Sequence, residues 1–526
     1  MRPLFPLLLI AACAEAPPIE EEPQPPSITL GDIQTCASPQ AAVSYQELGE
    51  ALGLEPPVSP AENHEENPAL AIADIDGDGI EDLLSFPIYG LKTHYGFDGE
   101  SFEAMTIENV PASVGVSPAD VDLDGDIDLL LGGYSPYWLE NLRGEDVPQP
   151  IWLELPPEWE TSTLPPLPMA EAQTSDFLHE FSPGDLEGDG LLDFYLPITA
   201  NYDVEPVLYS DVVLAVQEDG SLKLDEEAVP YEAGLRHSFD ATWFDVDADG
   251  DLDVYVANDF GALSGQSTLL RNEGGLLEDA ADECLCSLLT NGKGVDVGDF
   301  NRDGLPDLYV TGNPENTLLQ QLDDGTFVDV TATTGAGGVT DTVTGWGGVF
   351  LDYNNDGELD LLSAQGDRWN VSNDLPRLDV YPMLLRQSDG AFEDVASEMG
   401  LDVLDSYRAT IAHDFNRDGV LDLLLSTIDA RLLLYLSEGC TEANWLEVRA
   451  PLGARVEVSS DGQTQVGWVK SDSGYLAHSK LAVHFGLGDA DTIDSLRVVL
   501  PGGTEIETDV AFEARRRVVV SDTRTP

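Results

Sequence analysis

One nine-residue pattern, D-x-D-x-D-G-x-x-D, recurs seven times in this chain of 526 residues. It constrains the fold more than any other feature, because repeated units of this size must be stacked or ringed to bury a common core. The first copy supplies Asp74, Asp76, Asp78 and Asp82, the second Asp120, Asp122, Asp124 and Asp128, and the third Asp185, Glu187, Asp189 and Asp193. The fourth supplies Asp245, Asp247, Asp249 and Asp253. In the last three an Asn takes the second ligand place, third in the loop: Asp299, Asn301, Asp303, Asp307, then Asp352, Asn354, Asp356, Asp360, then Asp414, Asn416, Asp418, Asp422. Alternate residues of a tight turn aim their carboxylates at one centre, and the sixth-place Gly allows the turn. Such a loop offers the hard oxygens that Ca²⁺ takes, about six to eight per ion, so up to seven Ca²⁺ are expected.

An EF-hand would need an acid at the twelfth loop position and helices on both sides. Those positions hold Ser85, Leu131, Leu196, Val256, Val310, Ser363 and Leu425, and the flanks are β-rich runs such as Val254–Ala257 and Leu308–Thr311. The EF-hand reading fails. Successive first ligands lie about 57 residues apart on average, the length of a four-stranded propeller blade. A second repeated element follows the loops: Leu269-Leu-Arg-Asn, Leu318-Leu-Gln-Gln and Leu384-Leu-Arg-Gln each lead into a Gly-containing turn and a further strand, a hairpin signal. The expected fold is all-β: a seven-bladed β-propeller with calcium loops over residues 36–440, and a small C-terminal β domain over 443–520.

These loops resemble the FG-GAP/VCBS repeats that build the propeller of integrin α chains, across residues ~60 to ~440. The tail, with Asn444-Trp-Leu-Glu-Val, Gly453-Ala-Arg-Val-Glu-Val, His484-Phe-Gly-Leu-Gly and Leu496-Arg-Val-Val-Leu-Pro-Gly-Gly, resembles an ASPIC/UnbV domain, although Leu500 stands where Trp is expected. That pairing is characteristic of the family containing the cartilage acidic protein and its bacterial relatives. It implies architecture more than function.

After the seventh loop only two strands remain before the tail, so residues 41–54 are expected to close the last blade, with the outer strand at about 41–48. Cys36 and Cys440 would then lie near each other and form a disulfide; four cysteines beyond Cys13 otherwise allow three connectivities. At the start, Met1-Arg2, an apolar run to Ile10 and then Ala11-Ala12-Cys13 have the shape of an export signal. The last three residues resemble the bacterial lipobox, which implies lipid attachment at Cys13; the other reading is an ordinary signal cut near Ala14 or Ala16. Residues 14–35 are Pro- and Glu-rich and are expected to be a stiff tether.

The formal charge is -76, from 99 acidic residues against 23 Lys and Arg. No basic surface exists for phosphates, so nucleic acid is excluded as a partner on charge. Seven Ca²⁺ add 14 positive charges and leave -62, so calcium alone does not explain the acidity. Neither H-E-x-x-H, G-x-S-x-G nor a P-loop is present. The reading favoured is an exported calcium-binding propeller, a surface lipoprotein or secreted protein, for adhesion or recognition of an extracellular protein or glycan. Tyr134, Trp138 and Trp369, in polar connecting segments, are candidate ligand contacts. The alternative is an extracellular polysaccharide lyase or hydrolase on the same scaffold.

Overall fold

A computed structural model describes residues 26–521 apart from 55–68, 87–90, 96–100, 108–112, 122, 124, 134–136, 140–176, 200–208, 218–219, 226, 230–234, 262–264, 339–341, 368–376, 473 and 509. Among these residues the fold is nearly all β-strand, and no helix is long and apolar enough to cross a membrane.

Seven antiparallel sheets each open with the strand that runs into one acidic loop. In the fourth, Ser238–Phe244, Asp253–Asn258, Thr268–Asn272 and Leu277–Asp279 lie side by side in chain order. The fifth (Asn291–Gly298 to Phe327–Asp329) and sixth (Val343–Leu351 to Ala391–Asp394) repeat this order, as does the third, from Ser182–Gly184 to Leu222–Asp225. The second strands read as unbroken apolar runs rather than alternating ones because both faces are covered by neighbouring sheets. Asp253–Asn258 and Asp422–Thr427 are buried at every residue.

The first strand of each sheet packs beside the first strand of the next, and Tyr407–His413 of the seventh lies beside Ala69–Ala73 of the first. The sheets therefore form a closed ring, the propeller architecture. The seventh sheet borrows its outer strand from the other end of the chain: Tyr45–Glu47 pairs with Leu432–Ser437 in the register Tyr45↔Ser437, Gln46↔Leu436, Glu47↔Tyr435. Cys36 and Cys440 are joined in a disulfide beside this seam. Cys284 and Cys286 form the second one.

From Asn444 onward the chain builds two further four-stranded sheets around a core that includes Leu446, Val448, Val456, Val458, Phe485 and Val498. Here the expectation of a tether over 14–35 needs correction. Ser27–Leu30 is a strand that pairs antiparallel with Arg516–Ser521, at the edge of the first of these sheets. Its β-branched Ile28 and Thr29 suit an edge strand, and Pro and Glu dominate only before it.

Nor is the C-terminal unit an appendage. Residues 469–481 leave it and enter the middle of the ring. Tyr475 is fully buried there, 5.2 Å from Trp346 and 6.0 Å from Phe239 between ring centroids. Ala477–His478 pairs in parallel with Leu70–Ala71, so the C-terminal segment extends the first sheet at its inner edge. His478 Nε2 lies 2.9 Å from Ser117 Oγ, Ser182 Oγ donates to Asp472 at 2.7 Å, and Lys470 bridges to Asp296 at 2.7 Å. Thus the centre of the ring is filled by the protein's own chain.

Candidate metal centres

Each acidic loop joins the first and second strands of its sheet, and its last Asp pairs across the hairpin with the residue just before the loop, as in Phe244↔Asp253 and His413↔Asp422. The same two hydrogen bonds shape all seven. The first-place Asp accepts from the sixth-place Gly N–H: Gly79 to Asp74 at 2.9 Å, Gly125 to Asp120 at 3.1 Å, Gly190 to Asp185 at 2.9 Å, Gly250 to Asp245 at 3.0 Å. Gly304 to Asp299 (2.9 Å), Gly357 to Asp352 (2.7 Å) and Gly419 to Asp414 (2.9 Å) complete the set. The ninth-place Asp accepts from the second-place N–H, from Ile75 to Asp82 at 3.0 Å in the first loop to Phe415 to Asp422 at 2.8 Å in the last.

The sixth-place Gly sits at positive φ in every loop, between 85° and 98°, which explains the invariance of that residue across the repeats. Less expected is the fourth place. It too is left-handed in all seven, with φ of 59–67°, although only Gly77 and Gly188 are glycines there. Leu123, Ala248, Arg302, Asn355 and Arg417 hold that strained conformation.

With these bonds made, carboxylate oxygens remain for a cation. Those of Asp74, Asp76 and Asp78 lie within 4.8 Å of one another, as do those of Asp245, Asp247 and Asp253, and Asp74 Oδ1 is buried without a hydrogen-bond partner. This all-oxygen, multiply charged donor set fits a hard cation, and the acidic groups can hold a metal ion. Asp122 and Asp124 of the second loop lie outside the described residues. In the fifth and sixth loops the third-place Asn donates to the fifth-place Asp, Asn301 to Asp303 and Asn354 to Asp356, both at 2.8 Å. An amide there replaces a repulsion between two carboxylates by a hydrogen bond.

The last Asp has a further task. Its other oxygen accepts from the third strand: Asn272 N–H to Asp253 (2.8 Å), Gln321 to Asp307 (2.9 Å), Gln387 to Asp360 (2.7 Å), Ser437 to Asp422 (2.7 Å). The side chains of Asn272, Gln321 and Gln387 then reach back to the loop of the preceding sheet, donating to the carbonyls of Leu186, Val246 and Phe300 at 2.7–3.0 Å. Sequence reading missed these staples between sheets. Their signal was present in the repeated Leu-Leu-x-Asn/Gln of the hairpins, taken there only as a strand.

Burial, then the neighbouring carboxylates, push these acids up when no cation is bound: Asp253, Asp307 and Asp352 to about 8, Asp414 to about 7, Asp245 and Asp299 to about 6. The folded, cation-free ring therefore holds protons that the unfolded chain, with ordinary carboxylates near 3.8, has released. Stability of the stripped protein should fall as pH rises from about 4, each such carboxylate contributing on the order of 1 kcal/mol per pH unit until its own raised value is reached, near 6 for Asp245 and Asp299 and near 8 for Asp253, Asp307 and Asp352. A cation displaces those protons and cancels the slope. Melting curves at pH 5 and 8, with chelator and with excess divalent cation, check this; a stripped protein that melts higher at pH 8 contradicts it.

Of the three candidate contact aromatics, Trp138 lies in the third strand of the second sheet, paired with Leu130, while Tyr134 and Trp369 fall outside the described residues, as does Cys13. His413 is buried and His484 half-buried, and desolvation lowers both below the usual imidazole value, His484 to about 4. They are neutral packing groups.

Comparison with known proteins agrees with this architecture. The family model for "ASPIC and UnbV" matches residues 447–525, and that for an "FG-GAP-like repeat" matches 245–310 and 299–363. Cartilage acidic protein 1 of Homo sapiens is 24% identical over 480 residues, 76% of this chain and 70% of that protein, and the Mus musculus protein is 24% identical over 490 residues, 77% and 73%. Among solved structures, a Bacillus licheniformis rhamnogalacturonan lyase aligns over 76% of each chain at 12% identity and a TM-score of 0.39. A score this low bears on neither substrate nor function. The chain carries FG-GAP-like repeats and an ASPIC and UnbV domain, and cartilage acidic protein 1 is its homologue.

Proposed function

We propose that this protein is an exported propeller held together by Ca²⁺ in its seven acidic loops, and that it serves recognition or adhesion at the cell surface, with an extracellular protein or glycan as ligand. One observation supports the calcium reading above all: the same two N–H to carboxylate hydrogen bonds pre-shape every loop, and in the first and fourth loops three carboxylates converge within 4.8 Å. Bound there, Ca²⁺ neutralises the mutual repulsion of the acids; the residues of the chain do the rest by fixing the strands around each loop.

What the chain covers supports one end of the ring as the place of recognition. The centre of the ring is filled by residues 469–481, and the C-terminal sheets lie over several of the acidic loops. The connections between second and third strands leave the sheets at the opposite end, and Tyr134 and Trp369 belong to those connections in sequence. Rigid sheets presenting loops at one end are a common arrangement for binding. The test is a soluble form lacking Cys13, screened in calcium against glycans and extracellular-matrix proteins. Trp369→Ala is expected to weaken binding about tenfold or more, the usual cost of a stacked aromatic anchor. Undiminished binding removes Trp369 as a contact. Release of new chain ends from an offered polysaccharide would establish the enzymatic reading instead.

A further inference from the structure

The seven loops are not equivalent, and their differences coincide. In the first four the third place is acidic (Asp76, Asp122, Glu187, Asp247), and the first-place residues Asp74, Asp120, Asp185 and Asp245 are half-buried. In the last three the third place is Asn, and Asp299, Asp352 and Asp414 are only 2–4% exposed. What covers these three is the C-terminal domain. Arg455 donates to the Gly304 carbonyl at 3.2 Å. His484 Nε2 lies 2.7 Å from Asn355 Oδ1, and Gly488 N–H donates to the Asn355 carbonyl at 2.8 Å. Arg517 pairs with Asp414 at 2.7 Å. The open loops are touched away from their first-place carboxylates: Gly502 N–H donates to the Gly250 carbonyl at 2.9 Å, and Arg449 pairs with Glu81 of the first loop at 3.4 Å.

A second distinction runs through the strained fourth place. In the last three loops its side chain donates to the Gly carbonyl of the following loop: Arg302 to Gly357, Asn355 to Gly419 at 2.8 Å, and Arg417 to Gly79 at 3.3 Å. In the first four loops that place holds Gly77, Leu123, Gly188 and Ala248, which have no side-chain donor. The fifth, sixth and seventh loops are thus wired in series, with the seventh reaching on to the first, and the outer surface of these three is the seat of the C-terminal domain.

On the reading of the loops as calcium sites, we infer that they form two classes, four open sites and three closed ones, and that cation binding at the closed sites and docking of the C-terminal domain are linked. The reasoning is electrostatic and geometric. Burying four carboxylates under a domain is costly, so the covered loops carry one charge fewer and gain cross-loop donors in its place. Without a cation the loop is held only by its own hydrogen bonds, and the surface that Arg455, His484, Gly488 and Arg517 recognise loosens with it. Linkage is reciprocal: the docked domain slows calcium release from the closed sites by the same coupling that calcium exerts on docking.

The test uses the full soluble chain, with bound calcium counted and hydrogen exchange followed for residues 482–488 at the interface and for Asp253–Asn258 inside the ring. Asp303→Ala with Asp356→Ala removes closed-site ligands whose carboxylates accept from Leu305 and Glu358 within their own loops. Asp78→Ala with Asp189→Ala makes the matching change in two open loops, where the acceptor partners are Ile80 and Leu191. Both variants should lose about two ions. Only the closed-site variant should exchange at least tenfold faster over 482–488, with 253–258 still protected. Equal protection in both, or equal loss in both, overturns the linkage. A wild type that binds no calcium overturns the site reading and the linkage together. Should the closed-site variant not fold, chelation of the wild type decides: calcium must leave in a fast and a slow phase, with exchange at 482–488 rising in the slow one, and a single phase overturns the inference.

Discussion

Adding saturating calcium to the metal-stripped protein should raise its melting temperature by tens of degrees. A site occupied at a hundred times its dissociation constant stabilises the folded state by about 2.7 kcal/mol, and several such sites act on one ring. Each kilocalorie moves the melting point of a large domain by roughly 2–4 °C. The effect is large because the loops sit at the start of every second strand, and the last Asp of the fourth to seventh loops is also the acceptor that fixes the third strand. Losing the cation therefore loosens two strand connections in those four sheets. Magnesium should do less, since it prefers a rigid octahedral shell that a flexible loop does not supply. A shift of only a few degrees would mean that the hydrogen bonds within the loops suffice to hold them.

The second large effect concerns the seam of the ring. Replacing Cys36 and Cys440 by Ser should cost about 4–5 kcal/mol, the upper part of the range for disulfides, because the bond closes a loop with a sequence separation of 404. The bond joins three things that would otherwise separate at one end: the strand Ser27–Leu30 on the C-terminal sheet, the closing strand Tyr45–Glu47, and the last ring strand Leu432–Ser437. The variant should melt roughly 8–20 °C lower, and amide exchange should quicken first in Leu432–Ser437. Substitution is the proper experiment, since a reducing agent would also open Cys284–Cys286. A melting point within 2 °C of the wild type would show that strand pairing alone keeps the ring shut.

How much of this was legible in the sequence depends on whether an interaction is local. The loops were, because spacing of Asp and Gly within nine residues is a local property and Gly at positive φ has few substitutes. The hairpin strands were readable for the same reason. The position of Ser27–Leu30 was not: its four residues read as the end of a Pro-rich segment, and its partner lies almost 500 residues away. Entry of 469–481 into the ring was equally hidden, since Ser471, Asp472, Gly474 and Tyr475 look like an ordinary polar loop with one aromatic. Only the ring supplies His179, Phe239 and Trp346 to bury that tyrosine. The Asn in the last three loops was visible as a fact without a reason. Its reason is the C-terminal domain that lies over them, and no window of nine residues contains it.

The most direct test of the central claim is the number of calcium ions that stay with the folded chain, measured by native mass spectrometry after exchange into a low-calcium buffer. Seven ions per chain, falling by one when a single loop loses its fifth-place Asp, is the predicted result. A folded ring that retains none would contradict the account, and the seven loops would then be acidic turns held by their own hydrogen bonds.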